Sequence, residues 1–273
     1  MPVVDDLLAL PLFAGTGRAD LTAVASRFQE LPFAAGDVLY RQGDPGTSFL
    51  LLTAGRLAVL RADGVEEHEL LEAGPGSVLG ELAMLTGRHR MATVVARTDG
   101  LVLVGDDAVF DALVHLVPVH DRVAEVIARR VAELAAPVPL TLADGTEVEV
   151  RPLLRSDRGT LEDLIGRQSD ETLRRRFFSP GHPGPRVVDH LVEINYLDHF
   201  AWGVTTDHGA VGVATARYVR LRDDPTVAEL AFGIADEFQG LGLGTLLLGA
   251  LAWAAAEAGI KHFTAEVLSD NLP

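Results

Sequence analysis

Residues 80–93 read GELAMLTGRHRMAT, and this stretch is the most informative one for the front half of the 273-residue chain. A short helical turn that begins at Gly80 would present unpaired backbone N–H groups to an anion. Arg90, further along, can close on the same anion with a forked, charge-assisted hydrogen bond. Glu81 would be unfavourable beside an anion unless it accepts hydrogen bonds from sugar hydroxyls. The stretch therefore predicts a site for a phosphate joined to a ribose.

The residues around this stretch predict a compact β-structure. Between about Leu31 and Val104, short β-prone runs alternate with glycine turns such as QGDPG at residues 42–46. Many short strands with regular turns are typical of a roll or barrel, and here they predict an N-terminal β-roll with flanking helices. Helical patterns lie on both sides of the roll, at residues 7–10, 19–28, 108–116 and 119–134.

The stretch resembles the phosphate-binding cassette of cyclic nucleotide-binding domains, which runs G-E-x-A, a variable gap, then R-x-A-T. Residues 36–44 (GDVLYRQGD) and 49–55 (FLLLTAG) are also similar to the roll of that family. The resemblance covers most of residues 10–135. It implies cAMP as the ligand, because Met91 stands where cGMP-selective members carry a hydroxyl.

The resemblance also implies a role for individual residues. Glu81 would hold the ribose 2′-hydroxyl, and Arg90 with nearby backbone N–H groups would hold the cyclic phosphate. Arg130 lies on the helix that closes over the adenine in that family. The implied cAMP-binding residues are Gly80, Glu81, Leu82, Ala83, Arg90, Met91 and Arg130. Two alternatives stay open: an ordinary surface ion pair between the two charged cassette residues, or a roll that has lost its ligand.

The back half of the chain has a different pattern. Residues 137–139 read PVP, which ends the preceding helix because proline cannot continue one. We therefore predict two domains, residues 1–138 and 139–273. In the second, helices and five strands predict an α/β fold with a mixed, mostly antiparallel sheet. Its last strands are predicted at residues 228–235 and 262–268, on either side of an apolar helix at residues 244–258.

A second glycine-rich turn, QGLGLGT at residues 239–245, opens that helix. Glycines let the backbone approach a ligand closely, and the helix dipole favours a diphosphate there. The spacing matches neither the dinucleotide fingerprint G-x-G-x-x-G nor the P-loop. The turn resembles the pyrophosphate loop Q/R-x-x-G-x-G/A of the GNAT acetyltransferases, and this resemblance extends from about Glu147 to Pro273.

In the GNAT family the strand before the loop splays from its neighbour and pairs with the pantetheine arm of acetyl-CoA. Asn271 matches a recurrent asparagine beside the coenzyme. The resemblance implies coenzyme contacts from Phe232, Gly233, Ile234, Gln239, Gly240, Leu241, Gly242, Leu243, Gly244, Thr245 and Asn271.

Acetylation of an amine requires a base, because only the deprotonated amine is nucleophilic. We predict that Glu229 is this general base, since TVAELAF at residues 226–232 matches the catalytic-glutamate segment of one GNAT subgroup. Glu237 and Asp236, near the mouth of the turn, are the competing carboxylates. An exposed carboxylate on the sheet face, without a catalytic role, is the alternative for Glu229.

The two modules in this order resemble the cAMP-regulated protein lysine acetyltransferases. Residues 142–146 (LADGT), 169–177 (SDETLRRRF), 196–200 (YLDHF) and 268–271 (LSDN) carry the resemblance further. It implies transfer of an acetyl group from acetyl-CoA to the ε-amine of protein lysines, with acyl-CoA synthetases as typical targets and cAMP relieving autoinhibition. A small-molecule amine N-acetyltransferase under cAMP control and a non-catalytic cAMP sensor are the alternative functions.

A GNAT fold continues past its fifth strand into a helix and two further strands, whereas this sequence ends at Pro273. We therefore expect a GNAT domain truncated after its fifth strand, which leaves good cAMP binding but poor acetylation.

The composition excludes other classes of protein. A net charge of −16 does not suit binding to nucleic acid phosphates, and the chain has no cysteine for disulfides, thiolate metal sites or nucleophilic catalysis. The longest apolar stretch, Leu246–Ala256, is too short to span a membrane, and no secretory signal opens the chain. We expect a cytoplasmic monomer or weak dimer with no metal and with neither nucleic acid nor membrane partners.

Overall fold

The computed structural model describes residues 2–63, 66–86, 89–179 and 181–268. The chain divides into two compact units, Met1–Ile127 and Ala128–Pro273. This division lies within a helix that ends at Leu134, a few residues before the boundary predicted after Val138. Val138 itself begins a strand that belongs to the sheet of the second unit. The predicted boundary between functional domains stays a prediction.

The first unit alternates helices with eight short strands in its described part. The elements are α1 (Pro2–Ala9), α2 (Arg18–Ala25), β1 (Gln29–Phe33), β2 (Val38–Tyr40), β3 (Ser48–Ala54), β4 (Leu57–Asp63), β5 (Glu66–Ala73), β6 (Val78–Leu79), α3 (Glu81–Thr86), β7 (Thr93–Ala96), β8 (Gly100–Asp106), α4 (Asp107–Val114) and α5 (Val117–Leu134), the last of which crosses the division between the units.

Two four-stranded sheets form the roll, in the orders β1-β8-β3-β6 and β2-β7-β4-β5. Strand β3 contributes to two hydrophobic cores, because successive side chains of a strand point to opposite faces. Leu50 and Leu52 enter the core between the sheets, whereas Phe49 and Leu51 enter a second core with the helices. The predicted β-roll with flanking helices is confirmed.

The second unit contains one sheet, four helices and the end of α5 in its described part. Its elements are β9 (Val138–Thr141), β10 (Glu147–Pro152), α6 (Arg158–Gly166), α7 (Asp170–Phe177), α8 (Pro185–Val192), β11 (His199–Thr206), β12 (Val211–Arg220), β13 (Val227–Ile234), α9 (Leu243–Glu257) and β14 (His262–Thr264).

The sheet of the second unit has the order β14-β13-β12-β11-β10-β9. The pair β13–β14 is parallel, and the other described pairs are antiparallel. This confirms the mixed, mostly antiparallel sheet. Helix α9 packs into one core cluster through Leu243, Leu247 and Leu251, and helices α6 and α8 pack into another.

Two differences from the predicted elements have physical causes. The sheet has a sixth described strand, β9, which the sequence does not predict because Pro137 and Pro139 argue against a strand. Strand β9 is an edge strand, where a missing N–H donor is tolerated. The strand predicted at residues 262–268 is too long, because β14 ends at Thr264.

The ends of the helices follow local sequence signals. Ser169 caps α7 by accepting a hydrogen bond from the backbone N–H of Thr172, and Pro185 occupies the first turn of α8. Nowhere in the described ranges is a helix both long and apolar enough to cross a membrane.

Candidate functional site

Arg90 lies inside the roll of the first unit, with 4% of its surface exposed. Its Nη1 donates to the Gly80 carbonyl oxygen at 3.0 Å, and its Nη2 donates to the Ser48 carbonyl oxygen at 2.7 Å. The guanidinium carbon lies 3.6 Å from the centroid of the Tyr40 ring. Its Nε is buried and has no hydrogen-bond partner in the described part of the chain. The packing therefore orients the guanidinium without using all of its N–H donors.

Gly80 makes this packing possible. Its φ of 88° is a conformation that favours glycine, and a Cβ there would lie 2.5 Å from Nη1 of Arg90 and 2.8 Å from the Tyr40 ring. Burial raises the pKa of Tyr40, whose hydroxyl lies 2.9 Å from Ser48 Oγ. Glu81 begins α3 and is only 2% exposed. Burial of both charged cassette residues does not fit an ordinary surface ion pair.

The other predicted cAMP residues differ in their surroundings. Ala83 is buried in the roll, Leu82 is half-buried, and Met91 is 42% exposed beside the buried Arg90. Arg130 lies on the part of α5 that belongs to the second unit, with Nη1 3.8 Å from a carboxylate oxygen of Glu133. The structure thus brings together the predicted residues from Gly80 to Met91. Their roles, and that of Arg130, stay predictions.

In the second unit, strands β13 and β14 diverge. They pair in parallel from Val227 opposite His262 to Glu229 opposite Thr264, and β14 then ends while β13 continues to Ile234. A cleft of about 680 Å³ opens where the two strands separate. Eight of the predicted coenzyme residues line this cleft: Phe232, Gly233, Ile234, Gln239, Gly240, Gly242, Gly244 and Thr245.

The remaining predicted coenzyme residues do not line the cleft. Leu243 is 1% exposed and packs in the core, and the half-buried Leu241 packs against the same core. Burial of these two side chains still allows a coenzyme contact through their backbone groups, and the predicted contacts stay predictions. Asn271 lies outside the described residues, so its predicted contact stays a prediction.

The N-terminus of α9 opens into the cleft. Gly242 is the N-cap residue of the helix and has a φ of 87°. The N–H groups of the first turn, which includes Gly244 and Thr245, have no acceptor within the helix. With the positive end of the helix dipole, they form a suitable place for a diphosphate.

The three carboxylates that the sequence offers as a base are in different positions. Glu229 is exposed and lines the cleft between the diverging strands. Glu237 forms an ion pair of 2.7 Å with Arg167. Asp236 accepts hydrogen bonds from the structure around it, and neither it nor Glu237 is among the residues that line the cleft. This geometry favours Glu229, whose catalytic role stays a prediction.

Asp236 connects α7 to the glycine turn. Its carboxylate accepts hydrogen bonds from the Ser169 backbone N–H at 3.1 Å, from Thr172 Oγ1 at 2.7 Å and from Gln239 Nε2 at 3.1 Å. The hydrogen bonds from Ser169 are the main reason that the pKa of Asp236 is lowered. Gln239 also donates to the Ile234 carbonyl oxygen at 3.3 Å. Asp236 therefore positions the turn and is a poor candidate for a base.

Sequence reasoning missed part of the cleft wall. Helix α7 and the residue after it contribute Thr172, Arg175, Arg176 and Phe178, and Glu266 follows β14. The run SDETLRRRF at residues 169–177 was a signal for this wall, but only the folded chain places it beside β13. The described residues contain no group of three or more histidine or acidic side chains that could hold a metal ion.

Comparison with known proteins identifies relatives of both units. The chain matches the cyclic nucleotide-binding domain family over residues 30–115 and the acetyltransferase (GNAT) domain family over residues 147–273. Acetyltransferase Pat of Mycolicibacterium smegmatis is 38% identical over 270 residues, which cover 98% of this chain and 80% of that protein. The cyclic AMP receptor protein of Thermus thermophilus is 32% identical over 127 residues, 45% of this chain and 58% of that protein. A solved structure of a cAMP-binding acyltransferase from Mycobacterium smegmatis is 34% identical, with a TM-score of 0.47, over 99% of this chain and 81% of that one.

Proposed function

This chain belongs to the family of acetyltransferase Pat, with a cyclic nucleotide-binding domain before a GNAT domain, and we propose that it acetylates protein lysines under the control of cAMP. The protein is an acyltransferase, with acetyl-CoA as co-substrate and cAMP as allosteric ligand. The cleft between β13 and β14 carries the proposal, because it brings a strand edge, a diphosphate turn and a carboxylate to one place.

The residues of the cleft fit the parts of acetyl-CoA. Beyond Glu229, strand β13 is no longer paired with β14 among the described residues, so the open edge of the strand, which includes the backbone of Phe232, is available to the pantetheine arm. At the end of this edge the Ile234 carbonyl oxygen accepts hydrogen bonds from the side chains of Gln168 and Gln239. Backbone N–H groups of residues 240–245 would bind the pyrophosphate at the start of α9. Coenzyme binding would thus depend mainly on backbone groups.

Glu229 supplies the acid–base chemistry in this proposal. An acceptor lysine is protonated in water near neutral pH and must lose its proton before its nitrogen can attack a thioester. Glu229 takes that proton, directly or through a water molecule. The amine nitrogen then forms a bond with the acetyl carbonyl carbon, and the carbon–sulfur bond breaks as coenzyme A leaves.

The roll of the first unit holds the regulatory ligand. Arg90 is oriented by carbonyl groups and has an Nε without a partner in the described chain, which would donate to the cyclic phosphate, and Glu81 would accept a hydrogen bond from the ribose. A ligand shifts a conformational equilibrium only by its difference in affinity for the two states. Relief of autoinhibition therefore requires that cAMP bind the active state more tightly than the inactive state.

The acceptor is a protein that bears the target lysine. We further propose, as the sequence predicts, that acyl-CoA synthetases are among the acceptors and that the enzyme acts in the cytoplasm as a monomer or weak dimer. These finer points rest on the resemblance of the chain to the cAMP-regulated lysine acetyltransferases.

The test is acetyl transfer with and without cAMP. Purified protein is mixed with radiolabelled acetyl-CoA and with a lysine-bearing protein, a lysine peptide or a small primary amine. We expect label on the protein and the peptide, and more of it when cAMP is present. Transfer only to the small amine would favour a small-molecule N-acetyltransferase. Calorimetric binding of cAMP without any binding of acetyl-CoA would favour a non-catalytic sensor.

A further inference from the structure

The three consecutive arginines at the end of α7 have different surroundings. Arg174 and Arg175 form ion pairs with Glu171 at 3.4 and 2.8 Å. Arg176 is half-buried and makes no hydrogen bond or ion pair with any residue that the structure describes. Its guanidinium lies 5.1 Å from the centroid of the Phe177 ring. Arg176 is therefore the member of the run whose charge has no direct partner in the described chain.

A second buried guanidinium lies near Arg176. Arg217 is only 3% exposed, and its Nη1 donates to the Leu191 carbonyl oxygen at 2.7 Å and to His199 Nε2 at 3.1 Å. Its Nη2 is 3.4 Å from Thr215 Oγ1, and its Nε has no partner among the described residues. These partners are neutral, because burial lowers the pKa of His199 to about 4. Burial, and then the charge of Arg176, lower the pKa of Arg217 to about 9.

Both guanidinium groups border one small cavity beside the cleft. Gly233 and Arg176 line both the cleft and the cavity, so the cavity adjoins the cleft at Gly233 of β13. The described residues that line the cavity include no carboxylate: Leu161, Leu164, Ile165, Gln168, Arg176, Phe177, Leu191, Thr215, Arg217 and Gly233. Buried cations are unfavourable unless an anion accompanies them.

The carboxylates of the outer cleft compensate this charge only in part. Glu229 acts on Arg176 through its charge, although the two form no ion pair. Glu266 also lines the cleft but not the cavity. The cleft is thus lined by Arg176, on which Glu229 acts, and Arg217 lines the adjoining cavity.

We propose that Arg176, whose positive charge is reinforced by the buried Arg217 in the adjoining cavity, forms a carboxylate-binding subsite on the wall of the cleft. The carboxylate would be carried by the acyl group of the coenzyme thioester or by a side chain beside the acceptor lysine. Guanidinium groups suit this ligand because their planar donors match the two oxygens of a carboxylate. The inference rests on the proposed acyl transfer and names a further feature of its substrate.

The carboxylate is recognised but not consumed in the reaction. The lysine nitrogen forms the new C–N bond, the C–S bond of the thioester breaks, and the lysine ammonium loses two protons in total. One of them ends on the thiol of coenzyme A, and the other passes through Glu229 to water. No oxidant or further reactant is needed.

The experiment compares two matched pairs of substrates. Butyryl-CoA and succinyl-CoA differ in their terminal group, methyl or carboxylate, and two lysine peptides differ only by Gln or Glu beside the lysine. In the wild-type protein, we expect kcat/KM to be about tenfold higher for the carboxylate-bearing member of one pair. Preference within the coenzyme pair assigns the carboxylate to the acyl group. Preference within the peptide pair assigns it to the acceptor.

Two variants test the residues. In Arg176→Met the preference should disappear, whereas in Arg174→Met, which changes the same run outside the cleft, it should persist. The preference is the ratio of kcat/KM for the two members of a pair. Both values are measured on one preparation of each protein, so partial loss of folded protein does not affect their ratio. Calorimetry compares the binding affinities of the two members of each pair in the absence of turnover. The subsite would be overturned if the wild-type protein had equal kcat/KM for both members of each pair. It would also be overturned if the preference persisted in Arg176→Met. Absence of acetyl transfer from acetyl-CoA to every acceptor would instead overturn the proposed function.

Discussion

The roll of the first unit and the cleft of the second both contain candidate anion sites, but they are built from different parts of the chain. In the roll, buried side chains form the site, and Arg90 is held by carbonyl groups of Ser48 and Gly80. In the cleft, backbone N–H groups of a glycine turn and of the start of α9 form it. The roll should therefore be sensitive to loss of a side chain. The cleft should be sensitive to changes in backbone conformation, except where chemistry depends on Glu229.

The largest expected effect concerns chemistry rather than binding in the cleft. Glu229→Gln preserves the size of the side chain but removes the base. We expect kcat for lysine acetylation to fall about 100-fold or more, because a positioned base contributes at least that much. Affinity for acetyl-CoA, measured by calorimetry, should be unchanged. Glu237→Gln, which alters a carboxylate outside the cleft lining, is the matched control, and activity of Glu229→Gln within a few fold of the wild type would contradict the assignment.

The next effect tests the side-chain site in the roll. Arg90→Ala removes the guanidinium that is predicted to meet the cyclic phosphate, and we expect cAMP affinity to fall about 100-fold. Acetyl-CoA affinity should stay the same in this variant. Arg97→Ala, which removes an exposed arginine paired with Glu69, is the control and should bind cAMP normally. Retention of cAMP affinity by Arg90→Ala would show that the ligand is held elsewhere.

A pair of glycine variants sharpens the contrast between the two sites. Gly80 and Gly242 have nearly the same φ, 88° and 87°, so an alanine costs each about 1–2 kcal/mol of folding free energy. Only at Gly80 would the new Cβ also collide with Arg90 and Tyr40, whereas the space around Gly242 is open. We expect Gly80→Ala to unfold at lower denaturant concentration than Gly242→Ala and to lose cAMP affinity. Equal stability of the two variants would refute this account.

The smallest effect concerns the link between α7 and the turn. Asp236→Asn weakens the hydrogen bonds to Ser169 and Thr172, and we expect acetyl-CoA affinity to fall about threefold to fivefold. The native pKa of Asp236 is lowered, so its ionised form stabilises the fold above the ordinary carboxyl pKa of about 3.9. That contribution is lost as the pH falls through the native pKa. Between pH 5 and pH 3, the melting temperature of the wild type should therefore drop more than that of Asp236→Asn. An equal drop in melting temperature for the two proteins over this pH range would argue against a stabilising role of ionised Asp236.

The fold was predicted correctly from features that are local in the sequence. Gly80, Glu81 and Arg90 lie within one stretch of the chain, and the glycines of residues 239–245 lie within another. Each stretch has a local conformation that its own residues impose. Residue type and spacing were therefore sufficient to predict the roll and the mixed sheet, whereas the binding of anions by these two stretches stays a prediction.

The elements that were missed depend on their surroundings. Pro139 is compatible with a strand only at the edge of a sheet, and the sequence does not say which strand lies at an edge. The end of β14 at Thr264 is likewise a property of two strands that separate. The contribution of α7 to the cleft was missed because its residues reach β13 only through the packing of the helix.

By itself, the sequence determined which two folds the chain adopts and which local stretch of each is the candidate anion site, because these features arise from neighbouring residues and backbone preferences. The tertiary structure alone decided which of Glu229, Asp236 and Glu237 lines the cleft and that Arg176 and Arg217 line one cavity beside it. These residues come from separate strands and helices and are brought together only by the fold. Burial and electrostatic interactions between them exist only once the core has packed.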